Sequence, residues 1–215
     1  MKEISERFFT NDRDLVFLHG YLSSSDSFIY QKAYFERNFN VFMPDFRGFK
    51  NNPGMEFPYS LDDYIVELNE YFYKNNIINP FVVAHSFGCR VALKMAYQKM
   101  LNNKLVLTGA AGLKPKTTVK KLVKRLEFRL LSKFIKKEKL KRFYSSDYLA
   151  LSPVMRESFK KIISEHLDYT LPFIDNKVLL VFGSRDLQTP LYMAKRLNKG
   201  LKNSSLSIYD GAGHF

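Results

Sequence analysis

Apolar residues recur along the chain with two periods. Six short runs rich in Val, Leu, Ile and Phe each stop at a turn residue: 14–18 (DLVFL) before His19-Gly20, 40–43 (NVFM) before Pro44-Asp45, 80–84 (PFVVA) before His85-Ser86, 104–108 (KLVLT) before Gly109, 177–182 (KVLLVF) before Gly183, and 205–209 (SLSIY) before Asp210-Gly211. Runs that stay apolar on successive residues suit strands buried on both faces, as in a parallel sheet covered by helices. Between them the period changes to that of a helix. Leu61, Tyr64, Ile65, Leu68 and Phe72 share one face behind Ser60, which with Asp63 forms a capping-box signature. Val91, Ala92, Met95, Ala96 and Met100 do the same over 87–101, and Leu191, Ala194, Leu197 and Leu201 follow Thr189 and Pro190, which read as an N-cap and first helical position.

This alternation predicts an α/β fold, a mostly parallel sheet flanked by helices. The interval 110–172 breaks the rhythm, with helical periods and no good strand, and reads as a helical insertion. Val119, Leu122, Val123, Leu126, Leu130, Phe134 and Ile135 form an apolar stripe in it, and Ser145 to His166 reads as a helical pair around Pro153. The expected organisation is a core in two parts, 1–110 and 173–215, with 111–172 inserted between them.

At 215 residues and 46% hydrophobic content, with 20 Phe and 13 Tyr, one globular domain with an insertion is expected. No apolar run reaches the roughly 20 residues a membrane-spanning helix needs, and the first residues lack the apolar core of a signal peptide, so a soluble cytoplasmic protein is the expectation. One cysteine, Cys89, excludes an internal disulfide and any cysteine-rich metal site, and it reads as a packing residue. The net charge of +13 is concentrated. Residues 114–142 hold 13 Lys and Arg against Glu127 and Glu138, which leaves the rest of the chain near +2. That basic face is either the solvated outside of an amphipathic insertion or a contact for an anionic lipid surface or anionic substrate. Nucleic acid is disfavoured, because the charge comes without a recognised binding motif.

Reactive groups of open α/β sheets collect at the carboxyl ends of the strands. Here those turns carry Ser86, Asp45, Asp186 and His214, besides His19 and His85. A serine, a histidine and an acid on one rim are the requirements of acyl transfer: the hydroxyl needs a base to remove its proton, and a carboxylate orients the imidazole and stabilises its charged form. The stretch Ala84-His85-Ser86-Phe87-Gly88 fits the nucleophile elbow G-x-S-x-G with Ala for the first Gly. Small flanking residues are needed there because the backbone doubles back sharply.

Five motifs in order, LHGYLSSSDSF (18–28), MPDFRGF (43–49), VVAHSFG (82–88), FGSRDLQTP (182–190) and GAGHF (211–215), make the chain resemble the α/β-hydrolase fold family, in its cap-bearing, esterase-like branch of serine hydrolases. The resemblance implies Ser86 as nucleophile, Asp186 as the acid and His214 as the general base, with 111–172 as the cap over the site. It further implies an oxyanion hole from the backbone N–H groups of Phe87 and, more loosely, Tyr21, whose neighbour is Leu22. Leu22, Phe28 and Tyr30 are the candidate pocket residues, and no cofactor or metal is implied. A final helix after the histidine is implied too. The chain ends at Phe215, one residue past His214, so the second part of the core is expected to be truncated.

The residues themselves agree with that assignment and leave some alternatives open. The His85 side chain should diverge from that of Ser86, His19 reads as a residue shaping its own loop, and His166 lies in the insertion. Asp210 and Asp45 remain second choices to Asp186. A serine at the elbow disfavours dehalogenation, which this family performs with Asp there. The expected activity is that of a carboxylesterase or lipase on a small acyl ester. Carbon–carbon bond hydrolases, iminopeptidase-type peptidases and cofactor-free peroxidase-like members share the same three residues. From a different class, a catalytically weak protein that binds an anionic surface through 114–142 is the alternative.

Overall fold

The computed structural model describes residues 13–116 and 146–215. Six strands, β1 (Asp14–Leu18), β2 (Asn40–Phe42), β3 (Phe81–His85), β4 (Leu105–Thr108), β5 (Val178–Gly183) and β6 (Ser204–Tyr209), form one all-parallel sheet in the order β2-β1-β3-β4-β5-β6. Each expected strand is present within a residue or two of its sequence limits. The order reverses beside β1, so the loops after β1 and β3 flank the switch point where such sheets hold their ligands.

Alternation along the strands builds two apolar layers. Val16, Leu18, Val82, Ala84, Leu105, Leu107 and Leu180 face the larger core, completed by helices α2 (Leu61–Lys74), α3 (Phe87–Tyr97) and α6 (Leu191–Gly200). Leu15 and Phe17 face the other side, where Phe28 and Phe35 pack on them from a 3-10 turn (Ser25–Phe28) and α1 (Ile29–Phe35). The capping box at Ser60 is formed, with the Asp63 carboxylate accepting from the Ser60 N–H at 2.6 Å and the Ser60 hydroxyl accepting from the Asp63 N–H. The expected N-cap at Thr189 is not formed: Pro190 takes the N-cap position of α6, and the Thr189 hydroxyl is engaged elsewhere.

Between β4 and β5 the described residues hold α4 (Ser146–Ala150), α5 (Pro153–Ser164) and a 3-10 turn (Leu171–Phe173), and no strand. The Ser152 hydroxyl caps α5 by accepting from the Met155 N–H, and Pro153 sits in its first turn. α5 is clasped to the core at its far end, where Arg90 of α3 donates to the carbonyls of Ile162 and Glu165, both at 3.0 Å. Lys94, one turn further along α3, is buried between the carboxylates of Glu165 and Asp62. The apolar stripe 119–135 and nearly all of the basic run 114–142 lie outside the described residues. Among the described residues no helix is long and apolar enough to cross a membrane.

Candidate active site

Ser86 sits between β3 and α3 with φ 48° and ψ −103°, a backbone that L side chains rarely adopt. Strain of this kind costs on the order of 1–3 kcal/mol and persists only where surrounding contacts impose it. Those contacts are specific. The Ser86 N–H donates to the Thr108 carbonyl of β4, and the Gly88 N–H donates to the His19 carbonyl beyond β1. A Cβ on Gly88 would lie 2.4 Å from the Leu18 carbonyl oxygen, so only glycine lets α3 seat this closely on β1.

The loop after β1 comes equally near. A Cβ on Gly20 would stand 3.5 Å from Ser86 Cβ. The backbone N–H groups of Tyr21 and Phe87 have no hydrogen-bond partner among the described residues, and both belong to segments touching Ser86. His19 is buried and holds this loop in place: its Nδ1–H donates to the Gly20 carbonyl at 2.8 Å, and its Nε2 accepts from the Phe46 N–H at 3.1 Å. Burial pushes its pKa below the ordinary value, which keeps the ring neutral, as those two bonds require.

His214 joins the other two rim residues. The Ser86 hydroxyl lies 2.9 Å from His214 Nε2, and His214 Nδ1 lies 2.8 Å from Asp186 Oδ2. An ionised carboxylate can only accept, so Nδ1 carries the proton and Nε2 is left as the acceptor for the serine. Asp186 is fixed by its own turn. Its Oδ1 accepts from the N–H groups of Gln188 and Thr189, and its Oδ2 from the Thr189 hydroxyl at 2.7 Å. Burial works to raise its pKa, but the hydrogen bonds from His214 and Thr189 outweigh it and hold the carboxyl below the usual range. The arrangement can therefore draw a proton from a serine hydroxyl and carry the resulting positive charge on an imidazole held by a carboxylate.

The other candidates are occupied elsewhere. Asp45 accepts from the N–H and hydroxyl of Ser25, tying the turn before α1 to the loop after β2. Asp210 accepts from the Ser184 hydroxyl. His85 donates from Nδ1 to the Thr108 hydroxyl, which itself donates to the Ala84 carbonyl. Of the candidate pocket residues, Leu22 is half-exposed with φ 57°. Phe28 is buried on Phe17 and lines, with His85, Val181 and His214, a cleft of about 430 Å³ on the α1 side of the sheet. Tyr30 is 85% exposed on α1 and does not line that cleft, while Phe35 of the same helix packs inward on the sheet.

Two contacts of this site were not foreseen from the sequence. Thr189, taken for a helix cap, orients Asp186 and also lies 3.4 Å from His214 Nδ1. The His85 ring stands 4.8 Å from that of His214. Its own pKa is pushed down to about 4, first by burial and then by that neighbour. Among the described residues no group of three or more His, Cys, Asp or Glu is placed to hold a metal ion.

Comparison with known proteins agrees with this architecture. The family model described as alpha/beta hydrolase fold matches residues 15–117, and one described as TAP-like protein matches 164–215. No curated protein matches the chain. Among solved structures, an esterase from Exiguobacterium antarcticum is 22% identical with a TM-score of 0.73, over 95% of this chain and 85% of that one. A monoacylglycerol lipase from Paleococcus ferrophilus is 18% identical at 0.65, over 95% and 88% of the two chains. A meta-cleavage product hydrolase is 19% identical at 0.68, over 94% and 84%. At such identities the solved structures establish the fold alone. With its parallel six-stranded sheet, its matching segments in order and the turn that carries Ser86, the chain belongs to the α/β-hydrolase fold family.

Proposed function

We propose that this hydrolase-fold protein is a serine hydrolase that cleaves an ester or related acyl bond through an acyl-serine intermediate, with carboxylesterase or lipase-like activity. The observation that carries the reading is the single imidazole of His214 placed between the Ser86 hydroxyl and the Asp186 carboxylate. In this reading Ser86 Oγ attacks the carbonyl carbon while His214 Nε2 takes its proton, and Asp186 holds the imidazolium that results. The negative charge on the former carbonyl oxygen meets the backbone N–H groups of Tyr21 and Phe87. Collapse expels the alcohol, which leaves with the proton from His214. Water then repeats the cycle on the acyl-serine, with His214 again as base, and the carboxylic acid departs.

The ester class is supported by the family and by the names of the esterase and the lipase that share the fold. Residues 111–172 are proposed as the cap, since α5 sets Phe159 against Tyr21. A fluorophosphonate probe tests the mechanism. Wild-type protein is expected to be labelled and Ser86→Ala not, with ester hydrolysis falling on the order of 10⁴-fold or more. Equal labelling of both proteins, or labelling of neither, would sink the reading and favour a binding role for the basic segment. Nitrophenyl esters of increasing chain length then report the acyl preference.

A further inference from the structure

Tyr21 follows Gly20 in the loop that approaches Ser86, and its side chain carries a second polar group, distinct from its backbone N–H. Its ring is enclosed by Phe49 at 5.0 Å, Phe159 at 5.2 Å and Phe87 at 5.9 Å, which bring together the loop after β2, helix α5 and the residue following Ser86. Tyr148 of α4 stands close enough to act on it electrostatically and packs its own ring on Phe159. At the centre of this aromatic cluster the phenolic oxygen is shut off from solvent and has no hydrogen-bond partner among the described residues. Buried hydroxyls are almost always paired, and one left alone costs stability that a phenylalanine at the same place would not. A ring needed only to fill space would carry no hydroxyl.

We propose that the Tyr21 hydroxyl is a specificity determinant that donates a hydrogen bond to the substrate, selecting esters that carry a second oxygen acceptor, an ether, hydroxyl or further carbonyl, near the reacting carbonyl. The proposal rests on the hydrolase reading above and names the substrate class of that site. Burial raises the phenol pKa, so the group stays protonated and available as a donor. The hydroxyl makes no hydrogen bond among the described residues, so an acceptor brought by the substrate meets an unpaired donor and a plain methylene leaves it unpaired. Sites that hydrogen-bond a substrate reject analogues lacking the group for this reason.

The test is Tyr21→Phe, which keeps the ring and the backbone N–H and deletes only the oxygen. Two isosteric substrate sets compare methylene with ether oxygen. The acyl arm is 4-nitrophenyl hexanoate against its analogues with oxygen at chain position 3, 4 or 5, and the alcohol arm is butyl against 2-methoxyethyl esters of one acid. In at least one pair the ether-to-methylene ratio of kcat/KM is expected to fall about fivefold to tenfold in the variant, the worth of one neutral hydrogen bond. The pair that responds identifies the side of the ester that carries the acceptor. Ratios that all stay within about twofold of wild type would overturn the proposal, since packing or oxyanion effects of the residue act on both members of a pair alike. Thermal unfolding without substrate is the second readout. The variant should melt no lower than wild type, and a clear drop in Tm would mean that the hydroxyl is already bonded in the free protein, which also overturns it. Fluorophosphonate labelling separates the two readings: unlabelled wild type defeats the hydrolase assignment, whereas normal labelling with unchanged ratios defeats this inference alone.

Discussion

His85 and His214 stand ring to ring at 4.8 Å, yet their surroundings give them different chemistry. His214 has a carboxylate on Nδ1 and a hydroxyl on Nε2, whereas His85 has only the Thr108 hydroxyl on Nδ1 and a buried Nε2 with no partner among the described residues. With its pKa pushed down to about 4, His85 stays neutral and adds no charge beside the imidazolium that the proposed reaction forms. The sign of the consequence for stability follows from linkage. An unfolded chain protonates this residue near its ordinary value of about 6.5, and the folded chain resists until about 4. Folding stability is therefore complete above the unfolded value, falls as pH drops through that window, and levels off below it, by on the order of 3 kcal/mol. His19, also lowered by burial, adds a loss of the same sign. His85→Asn keeps a donor for Thr108 and should lose less stability between pH 7 and pH 4.5 than wild type in urea unfolding. An equal loss would show that His85 does not titrate in this way. Ser86, Asp186 and His214 could be read from the sequence because each lies just past the end of a strand. Thr189 could not, because a hydroxyl serves a helix terminus or a carboxylate equally well, and only the folded turn brings Asp186 within 2.7 Å of it.

Amphipathic spacing revealed α5 in the sequence, but nothing local shows what holds it. Its last carbonyls would be orphaned at the protein interior without Arg90, which sits more than 70 positions away in the chain and is buried deeply enough to bring its own pKa down to about 10, despite the nearby Glu165. Lys94 adds a buried cation that needs both of its carboxylates, since an unpaired charge there would be far more costly than the pair is favourable. The helix that follows Ser86 thus also carries the grip on the helix bearing Phe159. Arg90→Met fills similar space and leaves two carbonyls unpaired, and it is expected to destabilise the fold by about 2–4 kcal/mol. Denaturant unfolding checks this, and a loss below about 0.5 kcal/mol, the size of an ordinary surface change, would show that the clasp contributes little. Strand positions were legible because parallel strands are apolar throughout, whereas long-range clasps of this kind join residues with no common period.

Charge belongs to the scale of the molecule. The excess of Lys and Arg in 114–142 gives the chain most of its net +13, and fields of this size act over about a Debye length, near 10 Å at 0.1 M salt. Vesicles of anionic lipid are expected to bind the protein at low ionic strength and to release it as salt is added, which co-sedimentation measures. No binding even at low salt would leave the segment as solvated surface. The sheet order has a consequence of a different kind. Ser86 and His214 are 128 positions apart and meet only because β4, β5 and β6 have been laid down in turn beside β3. Contacts of such long range form late, after the loop entropy between them has been lost. A ribosome releasing this chain from its first residue onward therefore exposes Ser86 long before His214 exists, and every nascent or prematurely terminated product that stops short of His214 carries the serine without its partner imidazole. Under the proposed mechanism the reactive group is complete only in molecules whose whole sheet has been assembled, so synthesis itself delays that chemistry until the fold is finished.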